Sequence, residues 1–165
     1  MAESFVCSIC GKEHAGLTTD WAFTLPDDVW AIPEPERSEA ARFDNDLCQL
    51  GDRYFIRCVL EIPFLEEEGG FGWGAWAEVE WGVFERYLEL YDADGRSEPP
   101  KVGMLANALS EYGEIKGIPV SIQFREATKR PALFLLSTDQ SLLAIEQREG
   151  ISRKRHHEIV EGLTG

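Results

Sequence analysis

Residues 54–62 read YFIRCVLEI, a run in which Arg57 and Glu61 alternate with apolar residues. Successive side chains of a β-strand point to opposite faces, so a period of two indicates a strand with one buried face. The face expected in the core carries Ile56, Cys58, Leu60 and Ile62. This is the strongest strand prediction in the chain, and the rest of the fold is built outward from it.

A second strand is predicted to return alongside the first. Residues 66–70 (EEEGG) form a charged turn, and residues 71–79 (FGWGAWAEV) follow as the antiparallel partner in a long hairpin. Alternation sends the side chains of Trp73 and Trp76 to opposite faces of this strand. On its own face Trp76 stands among glycines, so it forms either a groove for a ligand or a seat for a helix. We favour the helix seat and expect the helix at residues 81–91 to cover it.

The remaining segments predict an α+β protein. Helical spacing of apolar residues and helix caps predict helices at residues 81–91, 104–110 and 142–148 and after Ser152. Further strands are expected at residues 119–125 and 131–136, joined as a second hairpin. The proline-rich residues 24–45 predict an extended arm with a short helix over residues 37–43. Strands clustered between helices favour a mainly antiparallel sheet with helices packed on one side.

A metal site is predicted near the N-terminus. Cys7 and Cys10 form a CxxC pair, and His14 follows on the loop that leaves it. Two thiolates at this spacing converge on a tetrahedral ion when the backbone between them turns tightly, as in a zinc knuckle. Cys48 lies just before the first strong strand, where its side chain can turn back toward the pair. Together these residues predict a zinc-knuckle-like turn with a closed Cys₃His site, which is structural rather than catalytic.

Two alternatives to this ligand set stay open. Cys58 shares the apolar strand face, which is typical of a small packing residue, although it can replace His14 or Cys48 as a ligand. The CxxC pair can also be two reduced thiols. A thioredoxin-like redox role is disfavoured because that motif follows a buried strand and begins a helix. Here only the short apolar pair Phe5-Val6 directly precedes Cys7.

The composition favours a single domain over residues 1–165. With 44% hydrophobic residues the chain can bury a core without disulfides. We divide it into a CxxC subregion at residues 1–20 and an α+β body at residues 46–165. Its four cysteines, outside a secretory context, are more typical of thiols or metal ligands in a reducing compartment.

The charge balance predicts the class of partner. Asp and Glu outnumber Lys and Arg by 30 to 16, which gives a formal net charge of −14. Such a chain repels the phosphate backbone of nucleic acids and anionic lipid surfaces, so neither is expected as a partner. No apolar run is long enough to span a membrane and no basic leader is seen, so a cytoplasmic location is expected. A basic protein is the partner that this charge favours.

Several short motifs occur in a fixed order along the chain. They are Cys7-x-x-Cys10-Gly11-x-x-His14, Asp46-x-Cys48, Phe55-Ile56-Arg57, Leu60-Glu61-Ile62-Pro63 and Phe71-x-Trp73-Gly74-x-Trp76. With these motifs the chain resembles the bacterial family called domain of unknown function 2199, and the likeness continues to Gly150-Ile151. The family commonly has a small residue at the position of Cys58, so the resemblance favours Cys48 over Cys58 as a ligand. It implies no catalytic residues.

Two hypotheses for the function follow. The first is a non-enzymatic protein-binding module with a structural zinc site, of which an immunity or antitoxin-like protein is one form. It rests on the acidic charge and on the lack of a catalytic motif in the sequence. The alternative is a small-molecule-binding protein or enzyme that uses a surface around Trp73 and Trp76, with Arg57 as an anion anchor.

Overall fold

The computed structural model describes residues 5–6, 13–14 and 19–164. These residues form an α+β fold whose sheet-rich core is a closed five-stranded barrel with additional strands at its edges. The predicted CxxC turn lies outside the described residues. The α+β class predicted from the sequence is therefore confirmed, while the zinc-knuckle-like turn stays a prediction.

The strands and helices are numbered in chain order. The strands are β1 (Phe5–Val6), β2 (Glu13–His14), β3 (Asp20–Ala22), β4 (Ala41–Phe43), β5 (Leu47–Leu50), β6 (Arg53–Pro63), β7 (Gly70–Val79), β8 (Lys101–Leu105), β9 (Pro119–Gln123) and β10 (Ala132–Leu135). The helices are α1 (Asp27–Trp30), α2 (Glu34–Ala40), α3 (Trp81–Glu89), α4 (Leu142–Glu149) and α5 (Arg153–Thr164), with a 3₁₀ turn at Ser110–Tyr112.

The predicted hairpin of β6 and β7 is confirmed and forms the centre of the fold. The two strands pair antiparallel along their whole length, from Tyr54 opposite Val79 to Pro63 opposite Gly70. The face of β6 predicted to be buried is buried at all four positions, and Phe71 and Trp73 of β7 join it in the main core. Period-two alternation therefore assigns the interior of the barrel correctly.

The barrel closes because β6 extends beyond β5, which leaves the rest of that edge to pair with β10. The first half of β6 pairs with β5, and beyond that Val59 pairs in parallel with Ala132 of β10. Strands β7, β8, β9 and β10 complete the ring. The predicted sheet with helices on one side is therefore corrected to a barrel with an inside and an outside.

The helix predicted at residues 104–110 is wrong. Its first residues, Met104 and Leu105, instead belong to strand β8, which pairs with both β7 and β9. A Cβ atom at Gly103 would lie 2.7 Å from the carbonyl oxygen of Glu78, so glycine permits the close approach of the two strands. Short apolar runs do not distinguish a strand from a helix by periodicity alone, which explains the error.

The other helices lie close to their predicted positions. Helix α3 buries Phe84 and Tyr87. Ser141 caps the start of α4, where its Oγ accepts a hydrogen bond from the Ala144 N–H at 3.3 Å. Helix α2 begins earlier than predicted because Pro35 lies in its first turn, where the missing N–H needs no partner, and its predicted last turn is instead strand β4. Within the described part of the chain, none of the helices combines the length and the apolar character needed to cross a membrane.

A second, smaller core lies on the outer face of β6 and β7. It contains Leu25, Val29, Ala41, Cys48, Phe55, Trp76 and Ala106. Trp76 is therefore covered by the segment that includes α1, and not by α3 as the sequence suggested. Helix α3 instead packs its Phe84 and Tyr87 into the main core. Residues from earlier in the chain therefore cover Trp76.

Candidate functional site

The predicted zinc ligands fall mostly outside the described side chains. Cys7 and Cys10 are not among the described residues, and only the backbone of His14 is described, in strand β2. Cys48 is 1% exposed in the second core. Among the described residues, no group of three or more His, Cys, Asp and Glu side chains could hold a metal ion. The zinc site thus stays a prediction.

The two described cysteines are both free and both buried. Burial, together with the nearby charge of Asp44, raises the pKa of the Cys48 thiol to about 12. Burial also raises the pKa of Cys58, which lies in the main core on the inner face of β6. In these apolar surroundings each side chain is a neutral thiol at pH 7 unless a metal ion binds it.

The surface expected around Trp73 and Trp76 does not exist in the described structure, because both side chains are fully buried. They point to opposite faces of β7 as predicted, with Trp73 inside the barrel and Trp76 in the second core. The Trp76 indole N–H donates to the carbonyl oxygen of Phe23 at 3.0 Å. Phe23 and the start of the arm that follows it therefore occupy the position at which a ligand was expected.

Arg57 lies on the outer face of β6, directly opposite Trp76 in the strand register. It remains partly exposed, and its Nη1 atom donates to the carbonyl oxygen of Asn45 at 3.1 Å. Arg57 is therefore the one residue of the predicted ligand surface that still reaches solvent.

An exposed apolar surface is found instead on the outer side of the other barrel strands. Val102 on β8 and Phe134 on β10 both lie opposite Ser121 of the strand between them. Met104 lies opposite Pro119, at the next position of β8 and β9 that faces the same side of the sheet. The exposed fractions are 65% for Val102, 46% for Met104 and 48% for Phe134. We call these five residues the barrel face.

Grooves flank the barrel face on both sides. The first has a volume of about 490 Å³ and lies where β8 separates from the end of β7, between Val83, Met104 and Glu80. The second, of about 460 Å³, lies between β6, β10 and α4 and includes Phe134 and Glu61. The barrel face is thus a ridge between two concave surfaces, a shape that can receive side chains of a partner.

Electrostatically the two grooves differ. In the first groove the Lys101 ammonium lies 3.4 Å from a Glu98 carboxylate oxygen, and Glu80 is exposed at the margin. The second groove also contains Arg125 and Arg148. The acidic character is therefore concentrated at the first groove, beside Val102 and Met104.

Sequence reasoning missed the barrel face, although part of its signal was present. Residues 132–135 read ALFL, and a strand that is apolar at every position places apolar side chains on both of its faces. Phe134 could therefore have been recognised as an outward-facing residue. Met104 could not, because residues 104–110 were interpreted as a helix, and no strand was predicted at Val102.

Comparison with known proteins gives a family and no relative of known function. A family model described as "Uncharacterized protein conserved in bacteria (DUF2199)" matches residues 6–151. No curated protein and no solved structure matches the chain.

Proposed function

The chain belongs to the DUF2199 family of uncharacterised bacterial proteins, and from this premise we propose that it is a non-enzymatic module that binds a basic protein partner through the barrel face. The observation that supports the proposal most directly is the exposure of Val102, Met104 and Phe134 on β8 and β10, the two strands that flank β9. An immunity or antitoxin-like protein, which binds and neutralises one basic partner, is one form of this function.

The exposure of these side chains has a cost that a partner would remove. Burying apolar surface contributes about 25 cal/mol per Å², so a ridge of large apolar side chains in water is unfavourable without a compensating role. Contiguous exposed apolar surfaces on monomeric proteins are characteristic of interaction sites. Elsewhere on the barrel, the outer face of β6 and β7 is covered by the second core. The barrel face is the corresponding surface that the described chain leaves uncovered.

Charge favours a basic partner over an acidic or neutral one. The chain has a formal net charge of −14, which attracts cationic surfaces over distances of about a Debye length, roughly 8 Å at physiological salt. Locally, Glu80 is exposed beside the apolar residues of the first groove. We expect the partner to place an apolar segment on the ridge and Lys or Arg side chains toward Glu80.

Substitution of the barrel face should abolish partner binding without unfolding the protein. The double variant Val102→Gln, Phe134→Gln removes apolar contact area from exposed positions and leaves the net charge unchanged. We expect affinity capture from the host to recover at least tenfold less of a basic protein than with the unmodified chain. The matched control is Leu88→Gln, which alters an apolar residue that is 42% exposed on α3.

The charge component has its own comparison within the same experiment. Glu80→Gln at the first groove should weaken capture, whereas Glu85→Gln, at an exposed position on α3, should not. Equal capture by all variants, or recovery only of acidic proteins, would rule out the barrel face as the binding site for a basic partner.

We also propose that Cys7, Cys10, His14 and Cys48 hold a structural zinc ion. Elemental mass spectrometry of protein purified without chelator or a histidine tag should find about one zinc per chain, as one tetrahedral site requires. Cys48→Ser and His14→Ala should each lose the metal, and the control Cys58→Ser should keep it. Stoichiometric zinc in Cys48→Ser would remove Cys48 from the ligand set, and metal-free unmodified protein would contradict the site altogether.

A further inference from the structure

A cluster of charged side chains lies where β6 exchanges one neighbouring strand for another. The Arg57 N–H donates to the carbonyl oxygen of Asp46, just before β5, and the Val59 N–H donates to that of Pro131, just before β10, each at 2.9 Å. Strands β5 and β10 thus approach the same edge of β6 in succession. The residues that precede these two strands meet in the gap between them, which we call the fork.

One carboxylate organises the fork. The Arg130 Nε–H donates to Asp46 Oδ1 at 2.9 Å, and the Tyr91 hydroxyl donates to Asp46 Oδ2 at 2.6 Å. Both carboxylate oxygen atoms of Asp46 therefore already have a hydrogen-bond donor.

Arg57 is left without a comparable acceptor. Its Nη1 atom donates to the Asn45 carbonyl, but its Nε atom is buried with no hydrogen-bond partner in the described structure. A buried donor without an acceptor costs about 1–3 kcal/mol. Burial and the charge of Arg130 also lower the pKa of Arg57, because two guanidinium groups repel each other. On a chain with 30 acidic residues, this cluster has two arginines and one carboxylate.

We propose that the fork is a binding site for a small oxyanion, a carboxylate or phosphate group, held between Arg57 and Arg130. A guanidinium presents five N–H donors in one plane, an arrangement that matches such groups. Asp46 engages only the Nε of Arg130. The Arg130 side chain is 39% exposed, so the ligand can enter from solvent. The negative charge of Asp46 opposes the binding of an anion, but its hydrogen bonds fix the orientation of Arg130 and Tyr91.

This site differs from the ligand surface expected from the sequence. Arg57 was predicted to act beside Trp73 and Trp76, whose side chains are buried. At the fork, Arg57 is accompanied by Arg130 and Tyr91 and not by those two tryptophans. Arg130 and Tyr91 come from distant parts of the chain. It is also separate from the barrel face, so either proposal can fail without the other.

Isothermal titration calorimetry with inorganic phosphate and with succinate tests the proposal, each against sodium chloride at equal ionic strength. We expect saturable binding of at least one probe, weakened tenfold or more in Arg57→Gln. Binding of phosphate alone would assign a phosphate-bearing ligand, and binding of succinate alone a carboxylate. In the control Arg96→Gln, which removes a cation that pairs with Asp94 away from the fork, affinity should stay within twofold.

Circular dichroism should first establish that both variants are folded. Thermal denaturation gives a second readout, because the bound probe should raise the melting temperature of the unmodified protein but not that of Arg57→Gln. Absence of saturable binding of both probes would overturn the proposal. An equal loss of affinity in Arg96→Gln and Arg57→Gln would also overturn it, since it would reflect net charge rather than a site.

Discussion

Replacement of Trp76 with alanine is expected to lower the free energy of unfolding by about 4 kcal/mol, within the range of about 3–5 kcal/mol for removal of a buried aromatic side chain. Trp76 is fully buried, with 0% of its surface accessible to solvent. It packs with Leu25, Val29 and Phe55, and its indole N–H donates to Phe23. Chemical denaturation monitored by far-UV circular dichroism measures the change.

The matched control is Trp30→Ala. Trp30 lies at the end of α1, is 59% exposed and contacts the Arg37 guanidinium, which lies 4.7 Å from its ring centre. We expect this substitution to cost about 1 kcal/mol or less, as is typical of an exposed cation–π contact. Similar small costs for both variants would show that Trp76 is not the centre of a second core, and that the arm does not cover it.

Replacement of Asn107 with alanine should cost about 3 kcal/mol, because one fully buried amide joins the arm to the barrel. Its Nδ2 group donates to the Leu25 carbonyl at 3.0 Å and to Asp27 Oδ1 at 2.8 Å. Its Oδ1 atom accepts from the Trp76 backbone N–H at 2.8 Å. The substitution leaves these buried groups without their partner, which costs more than the loss of an exposed hydrogen bond.

Asn45→Ala is the control for Asn107→Ala, because it makes the same chemical change at an exposed position. We expect its free energy of unfolding to stay within about 0.5 kcal/mol of the unmodified protein. Hydrogen exchange adds a local measurement, since Asn107→Ala should reduce protection of amides in residues 23–30 before it affects β6. Unchanged protection there would contradict the role of Asn107 in holding the arm.

The sequence was sufficient to predict the β6–β7 hairpin because its alternation extends over many residues. One slip in register would expose Ile56 and Leu60 and bury Glu61, so the pattern determines which face is inside. Helix α3 and the β9–β10 hairpin were predictable for the same reason: each has a clear period and a turn or cap at its ends.

Closure of the barrel was not predictable in this way. It depends on the parallel pairing of Val59 with Ala132, a contact between distant residues that leaves no local pattern. The cover over Trp76 depends likewise on the arm folding back across β7. Local periodicity shows that Trp76 faces away from Trp73, but it does not identify which segment fills that space.

The candidate sites illustrate the same difference. Arg57 was recognised from the sequence because alternation places this cation on the strand face away from the core residues. Its neighbour Arg130 precedes a strand far along the chain, and the two meet only because β5 and β10 border the same edge of β6. The ridge of Val102 and Phe134 arises in a similar way, from the register of three strands on the barrel.

Site-specific photocrosslinking tests the proposed binding function most directly. A photoreactive phenylalanine analogue in place of Val102, in the bacterial host, should form an adduct with a basic protein, and Phe134→Gln in the same chain should abolish it. The analogue in place of Leu88, which is also exposed, should form no such adduct. Absence of an adduct at position 102, or the same adducts at both positions, would contradict a docking surface on the barrel face.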